Sequence, residues 1–391
     1  MPLSQMKSST SIYAIAAALL LAACYLYKQY ERTLWKDPYT PVQNYLLDAT
    51  TAENSKKPIL WIHVPYEYNS RFWRNFGSRS STDLNQPYLY LTVRSILKHC
   101  EQSFTICIYD DDSFANLLGD SWNVDMSRLA DPILHNFRLL GQMRLLAKYG
   151  GIQCPVSFLC MRDLKELYEK GTRGGSLFVC ETPCRMGQSS ANVAQAMSPN
   201  VAFCGAPRDC RAAADLCNYI QEVASRDFTA ESKFKDVFGA WCQRRAEQGA
   251  GSGAGIRIID GVDIGTKTET GKPILLDDLM ANNYINLYNL TYGIYIPAGE
   301  LLQREPQYGW FTRMSPEQIA GSNTIIGNYL LLSSAPSLND GPAAILEPMK
   351  SDFIQKKYVG FWRVPSGAPV WGLQPNNLGD NLNMSQHPQR V

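Results

Sequence analysis

The sequence predicts an α/β fold with a mostly parallel sheet, preceded by an N-terminal membrane-spanning helix. From residue 58 onward, short apolar strands alternate with amphipathic helices over short connections, which is typical of strands that pair in parallel. The segments 59–64 and 104–109 are apolar at most positions of both alternating faces, as expected of strands buried on both faces. Residues 11–27 carry no charge and are long enough, at the short end, to cross a bilayer.

The N-terminal apolar segment predicts a single-pass anchor, and therefore a membrane partner through residues 11–27. Tyr25 and Tyr27 at its end fit the interfacial aromatic belt of a membrane helix. Two alternatives remain open, namely a cleaved signal peptide near Ala22 and Ala23, or a lipoprotein cleavage box ending at Cys24. The apolar segment continues past Cys24, which favours an uncleaved anchor.

The predicted domain organisation follows from this anchor. It comprises a tail at 1–10, the anchor at 11–27, a polar juxtamembrane spacer at 28–57, an α/β domain at 58–332 and an irregular C-terminal tail at 333–391. Within the domain, helices are expected at 87–100, at 132–149 and at 211–224, the second ending at a glycine pair. Further strands are expected in "SLFVCE", "NVAFCGA", "GIRIIDGVDIG" and "YINLYNLTYGIYIP".

Charge and cysteine content exclude several classes of protein. The net charge of +1 leaves no basic stripe to neutralise phosphates, so nucleic acid is not expected as a partner. The 11 cysteines are an odd number in a long chain, unlike the disulfide framework of a small secreted domain. We expect most of them to be small buried hydrophobic residues in a reducing compartment.

An acidic triplet follows the second predicted strand. Asp110, Asp111 and Asp112 stand at a carboxyl end, where ligands of open α/β sheets bind. Asp110 and Asp112 are candidate ligands of Mg²⁺ or Mn²⁺, because hard cations prefer carboxylate oxygens. The alternative is a solvated turn in which Asp112 or Ser113 caps the next helix.

Two further sets of polar residues could reach a ligand. His63 ends the first strand, as a base or as a hydrogen-bonded structural histidine. His135, Arg138 and Gln142 share one face of the leucine-rich helix, where they could contact a phosphate or a sugar. A solvated or interdomain polar face is the alternative for this second set.

Four stretches resemble the DXD-containing glycosyltransferase-like proteins related to capsular polysaccharide synthesis and to an initiating mannosyltransferase. They are "KPILWIHVP", "VRSILKHCEQSFTICIYDDDSF", "RLLGQMRLLAKYGGI" and "SPNVAFCGAPRDC". The resemblance implies a Rossmann-like A-type glycosyltransferase domain that binds a nucleotide-sugar, with Mn²⁺ or Mg²⁺ as cofactor if it is active. The nucleotide-sugar-binding candidates are then His63, Asp110, Asp111, Asp112, Gly150 and Gly151.

The resemblance also implies a degenerate metal site. Its two metal-binding aspartates would fall on Pro155 and Ser157, neither of which can replace a carboxylate on a divalent cation. Two hypotheses follow: a glycosyltransferase-like protein that binds a nucleotide-sugar or glycan, with transfer doubtful, or an inactive structural protein. A second similarity, to uncharacterised proteins of large eukaryotic DNA viruses, rests on "LNQPYLYLTVRSI" and "WFTRMSPEQI". It suggests virion proteins as partners, and a virion internal membrane or an endomembrane as the location.

Overall fold

The computed structural model describes residues 45, 49–64, 87–129, 132–183, 197–229, 231, 236–248, 255–282, 284–314 and 316–334. All of these except residue 45 belong to one compact unit, residues 46–391. The predicted anchor at 11–27 and almost all of the predicted C-terminal tail lie outside the described residues. Within the described ranges, no helix is both long and apolar enough to span a membrane.

Strands and helices alternate along much of the described chain, and helices predominate in its last third. The strands are β1 Ile59–His63, β2 Thr105–Tyr109, β3 Gly151–Pro155, β4 Phe158–Cys160, β5 Leu177–Pro183, β6 Met197–Ala206, β7 Ile256–Ile259 and β8 Gly293–Tyr295. The helices are α1 Ala49–Glu53, α2 Pro87–Cys100, α3 Ser113–Leu118, α4 Ile133–Tyr149, α5 Lys165–Gly171, α6 Arg211–Arg226, α7 Val237–Gln248, α8 Leu276–Met280, α9 Ala298–Gln303, α10 Glu305–Arg313, α11 Pro316–Ala320 and α12 Ile325–Ser334.

Six strands form one mixed sheet in the order β2-β1-β3-β6-β5-β7. β1 pairs in parallel with β2 and β3, and β5 pairs in parallel with β7. β6 runs antiparallel to both β3 and β5, so it alone opposes the direction of the other five strands. The predicted α/β class with a mostly parallel sheet is therefore confirmed, and the sheet is compatible with a Rossmann-like fold. β4 and β8 form a separate antiparallel pair.

Burial explains why the apolar strands lie at the centre of the sheet. Every residue of β1 is buried, with Leu60 and Ile62 on one face and Trp61 on the other all at 0% exposure. The Trp61 side joins a core built with α4 and α6. A second core packs α2 and β4 against α8–α12 and β8. Burial on both faces, predicted for β1 and β2, is thus confirmed.

The structure departs from the sequence predictions in several places. The end of the predicted spacer is helical, as α1, whose Ala52 is fully buried in the first core. The segment expected as a strand at 284–297 pairs only at Gly293–Tyr295. The helices α9–α12 were not predicted, because they are short and gain stability from packing around α2 and β4 rather than from a long amphipathic pattern.

The glycine pair after α4 is required by close backbone packing. Gly150 and Gly151 adopt φ values of 70° and 107°, which L side chains rarely reach. A Cβ on Gly151 would stand 1.9 Å from the carbonyl oxygen of Ile59, and one on Gly150 would stand 2.6 Å from the amide nitrogen of Arg208. The Gly150 carbonyl also accepts a hydrogen bond from the Trp61 indole at 2.9 Å. The pair therefore ends α4 and brings β3 against β1.

Candidate functional site

The carboxyl ends of β1, β2 and β3 meet at one edge of the sheet. In the parallel register, His63 is opposite Tyr109 on one side and Pro155 on the other. The acidic triplet follows Tyr109 directly, so it lies at the same edge. The structure thus brings His63, the triplet and Pro155, one of the positions where the resemblance implied a metal ligand, to the same end of the sheet. In open α/β sheets the ligand-binding loops lie at this end.

Asp111 is the inward-facing carboxylate of the triplet. Its Oδ1 lies 2.9 Å from His63 Nε2, and its Oδ2 accepts from Arg138 Nη2 at 2.7 Å. Arg138 Nε also lies 3.1 Å from both carboxylate oxygens. The three side chains are only 6%, 9% and 11% exposed for His63, Asp111 and Arg138 respectively. The cluster therefore ties β1, the β2–α3 turn and α4 to one another in the interior.

The protonation states within this cluster follow from its surroundings. Burial lowers the pKa of His63 below its ordinary 6.5, although the hydrogen bond to Asp111 opposes that shift. Burial alone would raise the pKa of Asp111, but hydrogen bonds from His63 and Arg138 outweigh it and lower that pKa below 3.8. At neutral pH the cluster is thus a neutral imidazole, a carboxylate and a guanidinium. Because a carboxylate only accepts, the imidazole proton lies on Nε2 and is donated to Asp111.

The free energy of unfolding is expected to fall as the pH drops below about 6.5, because unfolded His63 then binds a proton that the folded protein excludes. Asp111 adds a second loss at lower pH, below the ordinary carboxyl pKa of 3.8. Urea denaturation of the wild type and of His63→Gln from pH 7.5 to pH 5 tests the first loss. The variant should show a slope shallower by up to about 1 kcal/mol per pH unit. Parallel curves would show that His63 protonates equally in both states.

The other two carboxylates of the triplet have surroundings different from those of Asp111. Asp110 Oδ1 accepts from the Ser113 amide at 2.9 Å and from its hydroxyl at 2.6 Å, so Asp110 holds the first turn of α3. Asp112 is exposed, and its side chain makes no capping hydrogen bond. The helix cap predicted for Asp112 or Ser113 is therefore supplied by Asp110. Each of the three carboxylates therefore has a different environment.

Residues 155–157 are held by backbone and side-chain hydrogen bonds. Ser157 is 3% exposed, and its hydroxyl donates to the Ile296 carbonyl at 2.7 Å. The Ile296 amide in turn approaches the Ser157 carbonyl at 3.3 Å, which extends the pairing of β4 with β8. The Val156 carbonyl accepts from the Thr92 hydroxyl at 2.7 Å. Ser157 and its neighbours thus face into the protein and bond to other parts of the chain.

The donor set at this segment does not fit a divalent cation. Pro155 offers only a backbone carbonyl, and the Ser157 hydroxyl is neutral and already used as a donor. Across the described ranges, no group of three His, Cys, Asp or Glu side chains could hold a metal ion. Asp110 and Asp112, the metal candidates from the sequence, are therefore not part of such a group.

Gly150 and Gly151 lie at the amino-terminal end of β3, whereas the other site candidates lie at the carboxyl ends of β1 and β2. Gly151 begins β3, whereas His63 pairs with Pro155 at the end of that strand. Five residues of extended chain separate the two ends by roughly 13 Å. The structure therefore does not bring the glycines together with His63 and the triplet, and close packing accounts for them.

A surface cavity of about 560 Å³ opens beside the start of β2. It is lined mainly by α1 and the residues after it, including Thr50, Lys56 and Lys57, together with Thr105. None of the site residues predicted from the sequence lines it.

Two polar contacts near the site were not anticipated. Arg138 was predicted either to contact a phosphate or sugar or to lie on a polar helix face, but its ion pair with Asp111 spans 27 positions in the chain and leaves no local signal. The Tyr109 hydroxyl donates to the Gln153 side chain at 3.0 Å, and both residues are 2% exposed. The one available signal was a glutamine in the middle of an apolar strand, because a buried amide needs a partner.

Comparison with protein-family models, with curated proteins and with solved structures finds no match for this chain. The fold and the site define an α/β protein whose sheet carries a buried His–Asp–Arg cluster at its carboxyl edge.

Proposed function

We propose that this chain is a glycosyltransferase-like protein that does not transfer sugar by a metal-dependent route and serves as a membrane-anchored structural protein. The A-type glycosyltransferase assignment for residues 58–332 is part of this proposal. Support comes from the sheet, in which five of six strands share one direction, and from the position of the DXD-like segment at its carboxyl edge.

The observation that carries the proposal is the burial and hydrogen bonding of Ser157. A metal ligand at this position would need a charged oxygen directed at a cation, which in turn binds the nucleotide diphosphate. Ser157 instead is 3% exposed, and its hydroxyl bonds the Ile296 carbonyl, which secures β4 against β8. The position therefore has a structural role in this chain, and a cation that neutralises a leaving diphosphate has no carboxylate here to bind.

The state of Asp111 supports the same proposal. Its carboxylate is neutralised by Arg138 and accepts from His63, so both oxygens are occupied by protein groups. A carboxylate that binds a donor nucleotide has to keep an oxygen free for it. The cluster accordingly stabilises the carboxyl edge of the sheet instead of presenting a charge to a ligand.

Binding of a nucleotide-sugar or a glycan without transfer is the second candidate function. It is favoured by the exposed Asp112 carboxylate, which stands at the carboxyl edge of a Rossmann-like sheet beside Asp110. A carboxylate at such an edge suits hydrogen bonds from sugar hydroxyls.

Titration of the purified full chain with UDP- and GDP-sugars plus Mn²⁺ is expected to leave its thermal unfolding midpoint unchanged. A ligand raises the midpoint only when it binds the folded state preferentially, and a concentration at 100 times Kd adds about 2.7 kcal/mol. A saturable rise that requires Mn²⁺ would contradict the proposal and establish a metal-dependent site. A saturable rise without Mn²⁺ that is lost in Asp112→Asn would establish the second candidate.

The structural role is tested by copy number. We propose single-pass attachment through residues 11–27 to a virion internal membrane or an endomembrane, with virion proteins as partners. Quantitative mass spectrometry of the isolated membrane or particle should then find the chain in amounts comparable to the main structural proteins. A few copies only, with sugar-transfer activity, would fit an enzyme and contradict the structural role.

A further inference from the structure

Two cysteine thiols are in contact where α2 packs against β4. Cys100, the last residue of α2, and Cys160, the last residue of β4, have their Sγ atoms 3.8 Å apart. Both side chains are fully buried. A disulfide has a sulfur–sulfur distance of about 2.05 Å, so the two sulfurs have to approach by less than 2 Å.

The backbone around this pair is fixed on both sides. The Cys160 amide donates to the Ser95 hydroxyl at 2.9 Å, and Ser95 belongs to α2, as Cys100 does. The Cys160 carbonyl accepts from the Ser333 hydroxyl of α12 at 2.8 Å. The distance between α2 and β4 is thus set next to the thiols, and the remaining gap can close by side-chain rotation.

We propose that Cys100 and Cys160 are a redox modification site, at which a disulfide-bearing oxidant joins them in an intramolecular disulfide. One thiolate attacks the oxidant RSSR, which forms a mixed disulfide and releases one thiol RSH. The second thiolate then attacks the mixed disulfide and releases the other RSH. Two protein thiols lose two electrons and two protons in total, and one RSSR is reduced to two RSH.

The surroundings of the pair make this reaction slow in the folded protein. Burial raises the pKa of the Cys160 thiol well above its ordinary 9.0, so little thiolate is present at neutral pH. Neither sulfur is accessible to an oxidant without an opening of the domain. Oxidation therefore proceeds during folding or through transient opening, and the finished bond is protected from reductants by the same burial.

The bond would link two elements that already pack together in the second core. It links α2 with β4 across 60 positions of the chain, next to the contact that α12 makes through Ser333. Closing a loop of this length removes conformational entropy from the unfolded chain, which stabilises the folded state. The oxidised protein is therefore expected to unfold at a higher temperature than the reduced protein.

Refolding of the full chain from denaturant in glutathione disulfide, followed by a non-reducing peptide map, tests the proposal. We expect the intact mass to fall by about 2 Da, which is the loss of two hydrogens. A crosslinked peptide should join Cys100 with Cys160, and the thermal midpoint should rise by about 5 °C over the reduced protein. The map uses the unsubstituted chain, so it does not depend on the folding of any variant.

Three single substitutions test whether the shift in the thermal midpoint comes from a bond between Cys100 and Cys160. Cys100→Ala and Cys160→Ala should each lose the difference between oxidised and reduced protein. Cys242→Ala removes another fully buried thiol, in α7, and should keep the difference. Failure to form the crosslink, a map dominated by other cysteine pairs, or loss of the shift in Cys242→Ala would each overturn the proposal.

Discussion

Gly151→Ala is expected to destabilise the folded protein by more than about 4 kcal/mol, which in practice means that little folded protein accumulates. The new Cβ would stand 1.9 Å from the Ile59 carbonyl oxygen, well inside van der Waals contact. That oxygen belongs to the backbone of β1, which pairs with β3 from Leu60 onward. The clash therefore cannot be relieved by a side-chain rotation and has to separate two central strands.

Gly271→Ala is the matched control for this substitution. Gly271 also has a positive φ, of 81°, but no atom lies within 4 Å of the position its Cβ would take. Its expected loss is the backbone strain alone, about 1–2 kcal/mol. Urea denaturation and circular dichroism of both variants separate the clash from the strain. Equal losses in the two variants would contradict the packing explanation of the glycine pair.

Asp111→Asn is expected to destabilise the protein by about 3–5 kcal/mol, because it removes the carboxylate charge that the buried Arg138 guanidinium faces. The amide keeps nearly the same shape, so the loss measures charge and hydrogen bonding more than volume. Asp112→Asn, at an exposed neighbouring position, should change the free energy of unfolding by less than about 0.5 kcal/mol.

A double substitution separates the effect of an unpaired charge from the effect of changing the residue at position 111. Asp111→Leu with Arg138→Met removes both charges, and it should be less destabilising than Asp111→Leu alone. Urea denaturation at pH 7 provides all of these values. A loss in Asp111→Asn no larger than in Asp112→Asn would contradict the structural role of the cluster and would favour a carboxylate kept for a ligand.

These two predictions bear directly on the proposed function. The glycine pair and the acidic triplet are the parts of the sequence that most resemble a nucleotide-sugar site. In the structure, Gly151 allows β3 to approach β1, and Asp111 neutralises Arg138. Both features therefore serve folding in this chain, and a glycosyltransferase-like sequence pattern is compatible with a protein that has no metal-dependent activity.

Local patterns in the sequence were sufficient for most of the sheet and its first helices. Continuous apolar residues predicted β1 and β2, because a strand covered on both faces needs an apolar side chain at each position. The end of α4 at Tyr149 was predicted from the following glycine pair. The absence of a carboxylate at Pro155 and at Ser157 was likewise readable from residue type alone.

Only the tertiary structure decided which polar groups meet. Nothing in the triplet itself distinguishes Asp111 from its neighbours, and its partners His63 and Arg138 are 48 and 27 positions away. The contact of Cys100 with Cys160 likewise joins elements 60 positions apart. Such contacts depend on how helices and strands pack, whereas helix and strand patterns depend on neighbours along the chain. The sequence by itself therefore determined the α/β class and the absence of carboxylates at positions 155 and 157. Packing decided that the Asp111 carboxylate is bonded by His63 and Arg138.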